Sequence, residues 1–253
     1  MNASIFPKIW TKTADRPLRS AAQSLGIWLF AHFVGVPVPW RAVRQTDGAA
    51  LLAYEHERLL ALAAAGEHVP PVLGFDGDSL TTGDVGQTLD HLLHRMPEND
   101  RLALMCAASA DLAAFHARGQ WHGGAQTRNL TWDGQRFARL DFEERLLPGL
   151  ALPTVQVYDV LQLVLSLARY LQPLGPAAVR AVLQAYRDAA GAATAWSAGK
   201  DQTPDVRAFI ARVLPRLFWV SRIAAWSTRL DGSRELMRLR TVLDGMAAFV
   251  QED

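Results

Sequence analysis

Lysine is nearly missing from this chain. Of 26 basic residues only Lys8, Lys12 and Lys200 are lysines, and the rest are arginines. An Ala- and Arg-heavy coding bias explains most of that, but it leaves each lysine conspicuous. Cysteine is scarcer still: Cys106 stands alone, which excludes an internal disulfide framework and a Cys-based zinc cluster. Charge of one sign is lacking, because the formal net charge is +1. A general nucleic-acid binder would carry a basic excess, so no nucleic-acid partner is expected. No apolar run reaches the roughly 20 residues that a bilayer span needs. The longest early candidate, Leu25 to Trp40, is broken by His32, Gly35, Pro37 and Pro39. Met1 to Lys8 lacks the pattern of a signal peptide, so a cytoplasmic protein is expected. The aromatic stretch 25–40 is expected to pack onto the domain. The alternative is a peripheral contact at the inner face of the membrane. There is no internal repeat, no oligomer is predicted, and no His pair at zincin spacing, Gly-x-Ser-x-Gly elbow or Walker loop is present.

What is present is a chain of 253 residues, half of them apolar, enough to bury a sizeable core. Ile5 to Lys12 reads as a strand and Leu18 to Phe33 as a helix that stops before Pro37 and Pro39. Ala49 to Ala65 has apolar residues at helical spacing and ends at Gly66. Val72–Phe75 and Ser79–Thr82, joined by Asp76-Gly77-Asp78, form a predicted hairpin. Arg101 to Arg118 is a predicted helix closed by Gly119. After Pro153 the pattern is helical, with breaks expected near Pro173–Pro176, Gly199–Pro204, Pro215 and Asp231-Gly232. Trp196, Trp219 and Trp226 read as helix-packing core. A small mixed part followed by a larger helical part gives an α+β class.

The only dense polar cluster in an apolar context lies between Phe115 and Glu144. Its grammar is helix, Gly stop, loop, strand (129–132), Asp133-Gly134 turn, strand (136–140), then Asp141. Such a hairpin brings Asn129 and Asp141 to one end. An amide oxygen beside a carboxylate is a hard-oxygen set suited to Mg²⁺.

His122-Gly123-Gly124-Ala125-Gln126-Thr127-Arg128-Asn129, followed by Asp141-Phe142-Glu143, resembles the catalytic loop and metal-binding segment of the protein-kinase-like fold. The variant is similar to those of lipopolysaccharide-core kinases, aminoglycoside phosphotransferases and Bud32/RIO-type kinases. Phe115-His116-x-x-Gly119 resembles the family's lead into the loop, and Asp159 the helix residue that buttresses it. The resemblance implies a reduced mixed N-lobe over 1–86 and a larger, mainly helical C-lobe over 87–253. It implies an ATP- and Mg-dependent phosphotransferase acting on a small molecule or a glycolipid sugar. His122, Gly124, Gln126, Asn129 and Asp141 would form the catalytic segment. Asn129 and Asp141 would hold the metal, and Lys12, Glu57 and Asp84 would join them around the nucleotide. Lys12 or Lys8, with Glu57 or Glu55, would form the phosphate-side pair. Arg128 reads as loop-stabilising or phosphate-facing.

Two departures matter. Gly124 stands where the family carries its catalytic Asp, leaving Glu143, Glu144 and His122 as candidate bases. Nothing before Lys12 can supply a Gly-rich phosphate loop. A nucleotide-binding or regulatory module without catalysis is therefore the alternative reading.

Overall fold

The structure, a computed structural model, describes residues 8–147, 149–196, 204–226 and 233–251. Strand β1 (Ile9–Thr13) is followed by helices α1 (Ala21–Phe33), α2 (Trp40–Val43) and α3 (Gly48–Ala64). The hairpin β2 (Val72–Phe75) and β3 (Ser79–Gly83) then leads to the short β4 (Gln87–Thr88). Helices α4 (Leu89–Arg95) and α5 (Glu98–Ala117) precede the second hairpin, β5 (Leu130–Trp132) and β6 (Phe137–Arg139). Helices α6 (Leu152–Leu171), α7 (Pro176–Trp196), α8 (Val206–Trp226) and α9 (Arg234–Gln251) complete the chain. The class is α+β, as the sequence implies, with helices dominant and two small sheets.

Local chemistry accounts for the boundaries. Ser20 and Gln23 form a capping box that starts α1, and Asp47 caps α3 by accepting from the Ala50 N–H. Pro153 sits in the first turn of α6, where a missing N–H costs nothing. The first sheet has order β1-β3-β2 and is antiparallel, with Lys12 opposite Leu80. The second has order β4-β5-β6 and pairs Leu130 with Arg139. Gly86 lets the chain cross from one sheet to the other. Its φ is +101°, and a Cβ there would lie 2.4 Å from the Trp132 carbonyl oxygen.

One apolar core runs from Val34 and Leu52 through Leu112 and Phe115 to Leu163, Val182 and Met246. The segment after β1 joins it through Val36, Val38 and Val43. Arg216 on α8 also donates to the Phe33 carbonyl. Residues 33–43 are therefore tied to the helical part.

Two expectations fail. Pro215 does not break the chain; α8 runs straight through it. Pro215 is exposed while Val213, Leu214 and Leu217 are buried, so the carbonyl it leaves unpaired faces solvent and the inner face holds the helix together. Trp219 is 60% exposed rather than core, because it lies on the outer face of α8. The residues before Lys8, the Gly199–Pro204 break up to residue 203, with Lys200, the Asp231-Gly232 break and the side chains of Trp196 and Trp226 lie outside the described residues. No helix among the described residues is long and apolar enough to cross a membrane.

Candidate functional site

Lys12 is the centre of an acidic nest. Strand β1 presents its side chain inward, and its Nζ lies 2.7 and 2.8 Å from the two oxygens of Glu55 on α3. The same nitrogen is 2.7 Å from Asp141 Oδ1 and 3.7 Å from Glu143 Oε1. Glu55 is buried, so the ammonium offsets the desolvation of its carboxylate. One oxygen each of Glu55, Asp141 and Glu143 fall within 4.8 Å of one another. Arg16 closes the nest on the outer side, 2.6 Å from Glu143.

The electrostatics follow from this crowding. Burial pushes the Lys12 amine down, but the charges of Glu55 and Asp141 outweigh it and hold the group above its ordinary value. Burial likewise opposes ionisation of Asp141, and its hydrogen bond with Glu143 and the Lys12 charge overcome that, leaving its carboxyl well below the carboxylate range. Glu143 takes the opposite share: burial, then Asp141 beside it, push it up to about 7. Asp141 also has a positive φ of 69°, uncommon for a residue with a side chain. Such strain persists only where the surroundings over-determine it. Here Lys12 fixes one end, and the pairing of the Leu140 N–H with the Asn129 carbonyl fixes the hairpin before it.

The loop between α5 and β5 is fastened from below. Asp159 on α6 is fully buried and accepts from the backbone N–H groups of His122 and Gly123, both at 2.7 Å. His116 Nε2 reaches the same carboxylate at 3.3 Å, and Tyr186 bonds its other nitrogen at 2.7 Å. His122 spends both ring nitrogens on the loop: Nδ1 accepts from the Gly124 N–H and Nε2 bonds the Leu140 carbonyl. Burial holds its pKa down to about 4, so it is neutral and structural. The Asn129 amide donates to the Gly124 carbonyl at 2.9 Å. Gly123 has a φ of +86°, and a Cβ there would lie 2.7 Å from the Glu144 Cβ. Only glycine lets Glu144 pack this close to the loop.

Above the loop lies a cleft of about 940 Å³. Gly124, Gln126, Asn129 and Asp141 line it together with Leu18, Ile27 and Phe30. Glu144 also lines the cleft, paired with Arg19 at 2.5 Å. Burial raises its pKa against the lowering effect of Arg19. Arg128 is exposed at the cleft's edge.

The residues picked from sequence fall into two groups. His122, Gly124, Gln126, Asn129, Asp141 and Lys12 surround the loop and nest. Glu57 does not: it is exposed, and Glu55 reaches Lys12 instead. The two lie on different faces of α3, and only position 55 points at β1. Asp84 is exposed at the end of β3, where its carboxylate accepts from the Trp10 indole. Lys8 is exposed and contributes its carbonyl to the Asp84 N–H. The sequence reading missed Arg16 and Arg19, which hold Glu143 and Glu144 from the segment after β1. Their only advance signal is that two arginines precede an acid-poor helix.

Comparison with family models, with curated proteins and with solved structures gave no match.

Proposed function

We propose that this chain is a phosphotransferase of the protein-kinase-like fold, using ATP and Mg²⁺ on a small molecule or glycolipid sugar. The observation that carries the reading is Lys12, on a strand, joined at once to a helix acid (Glu55) and to the acid after the second hairpin (Asp141). Phosphoryl transfer asks for a cation positioned beside a metal-holding carboxylate, and this pairing supports that arrangement. The fastening of His122 and Gly123 by Asp159 supports it further, since positioning contributes most of the catalysis in this chemistry.

The donor set suits magnesium. Asp141 is 37% exposed at its side chain, shares the cleft with Asn129 and spends Oδ1 on Lys12. Mg²⁺ favours one or two protein oxygens with water and phosphate completing its shell. Bound there, it would supply charge neutralisation on the transferred phosphate. Lys12 would hold phosphate oxygens, with Glu55 keeping its ammonium in place.

Gly124 carries no side chain to orient the acceptor hydroxyl. His122 is excluded as a base by its two ring hydrogen bonds, and Glu143 by its place in the nest beside Lys12 and Arg16. Glu144 lies in the cleft and against Gly123 and takes that role in this reading, with its second oxygen, since Arg19 holds the first. A lining that combines Leu18, Ile27 and Phe30 with Gln126 and Gln162 suits an acceptor with both apolar and hydroxyl-bearing parts.

Gly124 also favours a second reading, a nucleotide-binding module without turnover. Thermal melting with ATP and Mg²⁺ tests what the two share. A ligand at 100 times its dissociation constant adds about 2.7 kcal/mol of stability. A shift lost in Asp141→Ala supports a nucleotide site; its absence in the wild type refutes both readings. ATP consumption that falls in Glu144→Gln separates the enzyme from the module.

A further inference from the structure

Two stretches of this nearly neutral chain contain no acidic residue at all. Between Asp15 and Asp47 the charged groups are Arg16, Arg19, Arg41 and Arg44; Arg16 and Arg19 are paired with Glu143 and Glu144, which leaves Arg41 exposed and Arg44 half-buried. Helix α8 carries Arg207, Arg212, Arg216 and Arg222 with no Asp or Glu. The acids of the chain, 25 in all, are placed elsewhere. Residues 160–187 lack acids too, so what sets these two stretches apart is exposed arginine beside exposed apolar side chains.

The same two stretches expose large apolar side chains. On α1, Leu25 and Leu29 stand four positions apart on one face, and Leu29 is 53% exposed. Trp40 follows at the start of α2, exposed, with Trp28 edge-on beside it. On α8, Trp219, Val220 and Ile223 form an exposed apolar strip. Arg216 and Arg212 continue that face one and two turns earlier, and Arg222 is exposed beside it. The two helices meet where Arg216 donates to the Phe33 carbonyl. A Cβ on Gly35 would lie 3.3 Å from the same guanidinium.

We propose that the exposed apolar and arginine-bearing faces of α1, α2 and α8 dock the protein on an anionic lipid surface. Arginine beside exposed Trp, Leu and Ile is the composition that suits a headgroup boundary: the rings and aliphatic chains enter the acyl edge while the guanidinium groups stay with the phosphates. An acidic face of another protein would explain the arginines but not the depth of apolar exposure on two separate helices. A second copy of this chain would set arginine against arginine. The inference rests on this surface alone and stands or falls apart from any nucleotide chemistry. It would also bring the mouth of the cleft near the lipid, since α1 presents Ile27 and Phe30 to the cleft and Leu25 and Leu29 to the outside.

Co-sedimentation of the full chain with vesicles tests it. The expected result is binding to vesicles of phosphatidylcholine with phosphatidylglycerol, little binding to phosphatidylcholine alone, and weakening by salt. Leu29→Glu and Trp219→Glu should each abolish pelleting, and Arg222→Gln should weaken it about fivefold. These side chains are exposed and outside the cleft, so the variants should melt like the wild type and keep any ATP-dependent shift. Three results would overturn the proposal: no binding to anionic vesicles, binding indifferent to these substitutions, or a dimer in light scattering that Trp219→Glu disperses.

Discussion

The Nζ of Lys12 lies 2.7 Å from Asp141 Oδ1, across 129 positions of sequence. With the bond to Glu55 it ties the first sheet, helix α3 and the turn after β6 into one charged knot. Each pairing answers a cost: Glu55 is buried, and Asp141 holds a positive φ.

Removing Lys12 should therefore cost stability. Lys12→Met leaves the Glu55 carboxylate buried without a cation. The lysine is 33% exposed, so the loss is expected at about 1–3 kcal/mol, below the figure for a fully buried pair. Adding Glu55→Gln to Lys12→Met should recover part of it. Urea denaturation of the two single variants and the double variant measures the coupling.

Asp159→Ala should be more damaging. It leaves two buried backbone N–H groups, those of His122 and Gly123, without an acceptor, and it strands His116. A destabilisation of about 2–5 kcal/mol is expected. Unfolding curves check the size, and hydrogen exchange at His122 and Gly123 should accelerate even under conditions where the variant stays folded.

Glu143 gives a pH signature. Its pKa rises from an ordinary 4.5 to about 7, so between those values the folded protein holds a proton that the unfolded chain has released. Its contribution to stability is full below the lower value and is lost as pH rises through the upper one. His122, held down from 6.5 to about 4, runs the other way, its contribution growing as pH rises across that interval. The difference between wild type and Glu143→Gln isolates the glutamate. The wild type's stability relative to the variant should decline from about pH 5 to about pH 7 and then level off. A difference that stays flat would contradict the shared position of Glu143 and Asp141.

Gly124→Asp should fold. Its φ is not positive, and an added Cβ would meet nothing closer than the Asn129 amide at 3.4 Å. If the chain transfers phosphate, a carboxylate at this position should raise turnover, within the range of about 10²–10⁴ that a positioned base contributes. Glu144→Gln in the wild-type background should lower it. Steady-state ATP consumption reads both.

Much of this was legible in the sequence, and the reasons are physical. The two hairpins announced themselves through Asp-Gly turns between apolar runs, and α3 and α5 through helical spacing and glycine stops. Asn129 and Asp141 could be placed at one end of a hairpin from sequence because a hairpin's two ends are local. The choice of Glu55 over Glu57 was not legible, because it depends on the rotation of α3 against β1. Arg16 and Arg19 escaped notice for the same reason: their partners lie more than a hundred positions away, and the fold alone brings them together. The run of α8 through Pro215 was hidden because a proline's cost depends on whether its orphaned carbonyl faces water. The exposure of Trp219 was hidden because an aromatic on a helix reads as core until the outer face is known.

Calorimetric titration of the wild-type chain with ATP, with and without Mg²⁺, tests the central claim most directly. Binding at one site that needs the metal is expected, and its loss in Asp141→Asn with the fold intact. Absence of binding at millimolar ATP, or binding that Asp141→Asn leaves unchanged, would contradict it.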